Sequence, residues 1–320
     1  LEEDYILGFD EIEVSQKDAK CQLAEKWVEK TVTDSELQVS EDDTQIHIKG
    51  REFAYTIDRR TALFTEMKFA GREYLNHPME LNIWRAPTDN DMYIKSEWKK
   101  AHYDKAYTRA YTTEVVQGKH GVKITSHASV VAETVQKILD VTITWKIEAA
   151  GKIDADIAVT KDDEFPDLPR FGVRMFLDKK LSAARYFGMG PQESYCDKHQ
   201  AASHGLYHAN VDDLHEDYIR PQENGSHYDC EYVELNNSRY GIVASAEKAF
   251  SFNASYYTQE ELEKKTHNYE LIESDSVVFC VDYALNGIGS NSCGPVVLEQ
   301  YRFDDVLFRF QFTLIPYVKG

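Results

Sequence analysis

Apolar and polar residues alternate with a period of two along most of this chain. The clearest runs cover residues 45–49, 53–57, 63–67, 122–125 and 141–145, and the pattern returns at 153–159, 172–177 and 307–314. Such alternation puts every second side chain on one face of an extended strand, and turn residues between runs mark antiparallel sheet. Pro, Gly and Asn fall between the runs, and only residues 97–110 carry a helical pattern. No regular short period marks a propeller or solenoid. So many strands with so little helix predict an all-β fold, a large two-layer antiparallel sandwich.

The pattern changes before the first of these runs. Residues 1–20 hold one alternating segment, residues 8–14, which a lone strand could not stabilise without a sheet to join. It is expected to be the last strand of a preceding domain, in a piece excised from something longer. Residues 21–43 are polar and acidic with weak periodicity, expected to form a linker with a helical turn around Trp27. The main domain is then expected over residues 44–320, a length that suits one large core better than two equal halves.

Composition narrows the partners. The 20 Tyr and 15 Phe suit half-buried pleated surfaces. Fifty-five acidic side chains against 36 basic ones leave a net charge of -19, which repels phosphate backbones and anionic lipid and so excludes nucleic acid and membrane. No apolar run approaches the roughly 20 residues that a membrane span requires. The five cysteines, Cys21, Cys196, Cys230, Cys280 and Cys293, are odd in number and widely spaced, the pattern of reduced thiols in a cytoplasmic protein.

The common chemical signatures are absent: the chain has no GxGxxG, Walker loop, GxSxG or HExxH. His204 and His208 have the spacing that chelates metal on a helix, but Gly205 beside aromatic residues argues against a helix, and no metal is assigned. Two carboxylate pairs stand out: Asp89 with Asp91 in RAPTDND, and Glu193 with Glu223 in GPQES and RPQENG. Glycoside hydrolysis needs two carboxyl groups about 5–10 Å apart. The reading adopted is that an Arg with short Asp and Asn side chains pins irregular loops by hydrogen-bonding their backbone. Trp84, Tyr186, Tyr195 and Tyr218 lie near these loops, where an aromatic face would suit a sugar.

Four segments together resemble the C-terminal domain of glycoside hydrolase family 2 β-galactosidases: WRAPTDND (84–91), FGMGPQESYCDK (187–198), YIRPQENG (218–225) and GIGSNSCGP (287–295). Each motif is weak alone; their set, order and spacing are specific. IHIKGREFAYTIDRRTALFTEMKFAGREYL (46–75) looks like the first hairpins of that domain, so the resemblance covers most of residues 44–316. It implies an antiparallel supersandwich of the galactose mutarotase-like type, preceded by an immunoglobulin-like sandwich. In the family, the catalytic glutamates, the magnesium and sodium ligands and the galactose pocket belong mainly to a central (β/α)8 barrel. This chain has none of that barrel, so no catalytic residue or cofactor is expected in it, and alone it is expected to be inactive.

The family's C-terminal domain reaches the active site with one loop, where a tryptophan supplies an apolar platform. The matching loop, residues 289–295, is one residue shorter and has Cys293 roughly where that tryptophan would be. Either Asn291 and Ser292 compensate with hydrogen bonds, or the platform comes from elsewhere. Ser290, Asn291, Ser292 and Cys293 are the expected substrate contacts. The resemblance makes Arg85, Asp89, Asp91, Glu193, Glu223 and Asn224 loop-bracing residues, with the parent's barrel and a galactoside as partners. Other readings are a naturally separate small subunit, a free-standing aldose 1-epimerase or sugar-binding module, and a pure interaction domain. An epimerase would bring a His and a carboxylate together in an open groove.

Overall fold

The computed structural model describes residues 9–12 and 37–319. Strands dominate, as the alternation predicts. A first sheet runs β1 (Gln38–Glu41), β2 (Gln45–Lys49), β3 (Phe53–Asp58), β4 (Phe64–Phe69) and β5 (Arg72–Glu73) in simple meander order. A second, 12-stranded sheet holds β6 (Leu75–Asn82), β7 (Tyr107–Gln117), β8 (Gly121–Val131), β9 (Leu139–Glu148), β10 (Ile153–Lys161) and β11 (Arg170–Asp178). It also holds β12 (Ala183–Gly190), β13 (Ser203–Asn210), β14 (Ser226–Asn236), β15 (Tyr240–Ser255), β16 (Ser276–Leu285) and β17 (Leu307–Val318).

The second sheet branches at β15. Its main path is β13-β12-β14-β15-β17-β10-β9-β8-β7, and β16, β11 and β6 leave from the far end of β15. Residues 240–245 of β15 pair with β17, whereas residues 251–255 pair with β16. Between these ladders Glu247, Lys248 and Ala249 are exposed, and β14 is bulged opposite, around Cys230. The extra residues of a bulge bend a strand, which lets one long strand serve two layers.

The layers meet over an aromatic core. Trp145 of β9 is fully buried, its indole N–H donates to the Ala62 carbonyl at 2.8 Å, and its ring meets Phe64 of β4 edge-on at 4.9 Å. Phe171 of β11 packs on Phe308 of β17 at 5.0 Å. Truncating a ring such as Trp145 to Ala costs about 3–5 kcal/mol through lost burial and the cavity left behind.

Three expectations need correction. The main domain starts before Thr44, because β1 pairs with β2 through Val39 and Ile48 inside the stretch expected to be linker. The helix over 97–110 is shorter and earlier: α1 covers Ile94–Lys100, His102 turns left-handed at φ 58, and β7 has begun by Tyr107. A second helix, α2 (Gln259–Lys264), is capped by the Thr258 side chain accepting from Glu261 N–H. The expected strand over residues 1–20 lies outside the described residues except for 9–12, which are not in a strand; there the Glu11 carboxylate accepts from His204 N–H at the outer edge of β13. Trp27 also lies outside them. Among the described residues, no helix is long and apolar enough to cross a membrane, and Cys196, Cys230, Cys280 and Cys293 are free thiols.

Candidate functional site

The four motif loops converge at one end of the sandwich, around an open cleft of about 670 Å³. Arg85 is its buried keystone. Its Nε and Nη2 grip both Asp91 oxygens at 3.1 and 2.7 Å, Nη1 donates to the Asn286 carbonyl, and Nη2 also reaches the Gly287 carbonyl at 3.1 Å. Asp91 in turn accepts from Thr88 N–H at 2.9 Å. RAPTDND is thereby tied to the start of the 287–295 loop.

A second buried cation ties the remaining loops to the sheet. Arg170, at the start of β11, donates to both Asp282 oxygens, at 3.1 and 2.5 Å, and to Glu223 at 3.1 Å. Burial pushes the Glu223 and Asp282 carboxyls above their usual range, against the pull of Arg170. Burial also opposes the charge on Arg170, but the two carboxylates outweigh it and hold the guanidinium protonated. Glu223 N–H donates to the Ala86 carbonyl, and Asn224 accepts from Glu216 N–H at 3.0 Å, so RPQENG lies against RAPTDND.

Glu193 is saturated. It accepts from Lys198, from the Tyr218 hydroxyl, from Gly225 N–H at 2.9 Å and from Tyr195 at 3.3 Å. Burial works against the Lys198 ammonium, but its bonds to Glu193 and Tyr218 raise its pKa above the ordinary value. Among the described residues, the Asp89 side chain meets Gln222 at 3.5 Å, and the Gln222 side chain accepts from Asp89 N–H at 3.0 Å.

The 289–295 loop is held by two residues that sequence reasoning passed over. Asp197 accepts from Ile288 N–H at 2.9 Å and Gly289 N–H at 2.7 Å; a Cβ on Gly287 would lie 2.8 Å from that carboxylate, and Gly289 sits at φ 65. Asn90 donates to the Gly289 carbonyl and accepts from Ser292 Oγ, both at 2.8 Å. Both lie inside quoted motifs, so the signal was present but not weighed. Ser290 lines the cleft, with Asp89, Glu193 and Glu223. Asn291, Ser292 and Cys293 fall outside its lining, and Cys293 is an exposed thiol on the outer turn.

Of the aromatics singled out, Trp84, Tyr186 and Tyr195 are buried, which leaves Tyr218 as the half-exposed ring. No histidine lines this cleft. His127 with Asp140, and His208 with Asp213, line open grooves on other strand faces, where Lys137 holds Asp140 and Asn210 holds Asp213. On β13, His204 and His208 are separated by the extended rise of the strand, about 13 Å over four residues, too far to share one ion.

A sequence profile described as "Beta galactosidase small chain" matches residues 49–314. The β-galactosidase of Actinobacillus pleuropneumoniae is 42% identical over 315 residues, which is 98% of this chain and 30% of that protein. The β-galactosidase of Staphylococcus xylosus is 31% identical over 98% of this chain and 31% of its own length. The chain therefore spans about 30% of the length of these relatives. Among solved structures, a galactose 1-epimerase from Lactobacillus acidophilus is similar at 7% identity and a TM-score of 0.48, covering 89% of this chain and 99% of that one. With the family profile spanning most of the domain and its four motifs meeting at one cleft, this chain belongs to the β-galactosidase small-chain family.

Proposed function

We propose that this chain is the C-terminal sandwich part of a cytoplasmic β-galactosidase that hydrolyses terminal β-D-galactosides such as lactose. Other domains supply the acid and the nucleophile, and this one braces the site and edges it with the loop bearing Ser290, Asn291, Ser292 and Cys293. The observation that carries this reading is the commitment of the cleft's carboxylates. Glu223 is paired with Arg170, Glu193 with Lys198 and, behind the lining, Asp91 with Arg85, while Asp197 is bound by two amides; among the described residues, the exposed Asp89 is the one lining carboxylate left without such a partner. A retaining glycosidase needs one carboxyl free to donate a proton and another free to attack, about 5 Å apart.

The family's magnesium and sodium would likewise belong to the barrel. Among the described residues, no group of three or more His, Cys, Asp or Glu is arranged to hold a metal. The test is β-galactosidase and mutarotase activity of the purified chain, alone and mixed with a polypeptide containing the barrel. The expected result is silence alone and lactose hydrolysis on mixing. Anomer interconversion by the isolated chain would replace this reading with an epimerase.

A further inference from the structure

Tyr195 and Tyr301 line both the loop cleft and a second cavity of about 460 Å³. The second cavity lies where β15 changes ladders, between the bulge of β14, the end of β16 and the outer face of β17. Three half-buried tyrosines line it, Tyr228, Tyr283 and Tyr301. Elsewhere, buried tyrosines spend their hydroxyls inside the protein: Tyr55 on the Gly151 carbonyl, Tyr74 on that of Tyr317, Tyr103 on that of Pro166. The hydroxyls of these three make no hydrogen bond among the described residues. A half-buried tyrosine hydroxyl with no bond inside the described protein, as at Tyr256 and Tyr257 too, can exchange water for a ligand, and here three share one cavity.

The surroundings point to a neutral, polyhydroxylated ligand. Tyr283 is fixed by stacking on Phe308 at 4.9 Å and 15°, and Tyr228 by stacking against His199 at 5.7 Å. Asp229 sits in the left-handed region at φ 54, a conformation that costs a non-glycine residue on the order of 1 kcal/mol, and the β14 bulge holds it at the cavity wall. Three carboxylates (Asp229, Glu247, Asp305) line the cavity with Lys248 and Arg302, while Arg309 at its edge is paired with Asp156 outside it, so no positive excess is left to hold an anion. A volume of about 460 Å³ lies within the range of roughly 300–1,000 Å³ typical of small-molecule sites. Aromatic rings, available hydroxyls and the lack of a positive excess match a pyranose, which presents an apolar face and a rim of hydroxyls.

We propose that this cavity is a second carbohydrate-binding site, taking a neutral pyranose saccharide on Tyr228, Tyr283 and Tyr301, separate from the 289–295 loop. Occupancy requires neither the barrel nor catalysis, so its failure would leave the proposed function standing. The 320-residue chain is titrated with galactose and lactose by calorimetry, with inorganic phosphate as a charged control. Hydrogen exchange locates the protection. Saturable sugar binding is expected, with slowed exchange at the end of β16 and at Glu299–Tyr301, and no response to phosphate. Tyr228→Phe, Tyr283→Phe and Tyr301→Phe keep the rings and remove only the hydroxyls, so each is expected to weaken binding about two- to tenfold. No saturable binding up to about 100 mM sugar overturns the proposal. Binding that ignores all three tyrosine variants, or whose protection falls on Ile288 and Gly289 instead, overturns it equally.

Discussion

Arg85 has 0% exposure and four acceptors drawn from two loops, so its removal does more than delete a contact. Arg85→Ala strands the Asp91 carboxylate away from water and frees two buried carbonyls. The expected loss of stability is about 3–5 kcal/mol, read as a lower urea midpoint at unchanged slope. A shift below about 1 kcal/mol would mean that water reaches Asp91. His227 makes a different claim. It is buried between Tyr186 and Phe252, and burial lowers its pKa from 6.5 to about 4, although the Met189 carbonyl and Glu193 pull the other way. The unfolded chain therefore takes up this proton at higher pH than the folded one. This contribution to stability is complete above about pH 6.5 and falls by roughly 3 kcal/mol as the pH drops to about 4. His227→Phe, which keeps an aromatic ring there, should flatten that part of the pH profile. An unchanged acid slope would show that other groups set it. From sequence, carboxylates could only be paired by motif, Asp89 with Asp91 inside one and Glu193 with Glu223 across two similar ones. In space the decisive partners of Asp91 and Glu223 are Arg85 and Arg170. Arg170 and Asp282 each interrupt an apolar run, and a charge in such a run calls for a buried partner. That signal was legible, though not which charge meets which.

At the scale of elements, a strand with one buried face such as β2 was readable, and of the doubly buried ones β11 was legible at 172–177 while β16 was not. β2 was found at its exact ends, because Ile46 and Ile48 are buried while Gln45, His47 and Lys49 are not. β16 was missed because Ser276–Val281 and Asp282 are all buried, which erases the period of two. α2 was missed although Thr258 three residues ahead of Glu261 is an N-cap signature. The 287–295 loop was located by its motif, but its anchoring belongs to Asp197. Asp197→Ala is expected to speed amide exchange at Ile288 and Gly289 while lowering global stability by only about 1–3 kcal/mol, since both amides lie at the surface end of the fold. Unchanged exchange at those two amides would show that Asn90 alone holds the loop.

For the whole molecule, charge acts apart from fold. With a net charge of -19, self-repulsion should ease as salt rises, so the melting temperature is expected to climb between about 10 mM and 200 mM salt, where the Debye length shrinks from roughly 30 to under 10 Å. The buried Arg85 and Arg170 networks lie beyond such screening. A falling melting temperature would mean that surface pairs such as Arg309 with Asp156 outweigh the repulsion.

The position of β17 has a consequence for how the protein is made. It is the last strand in the described chain, yet it lies in the middle of the large sheet, between β10 and β15. Until Leu307–Val318 is made, the sheet is in two separate blocks, the β7–β10 meander and the larger block that contains β15, with open hydrogen-bonding edges at β10 and β15. β17 is therefore a keystone, and a chain lacking it would be left with two sticky half-sheets that neither close on each other nor stay apart from their neighbours.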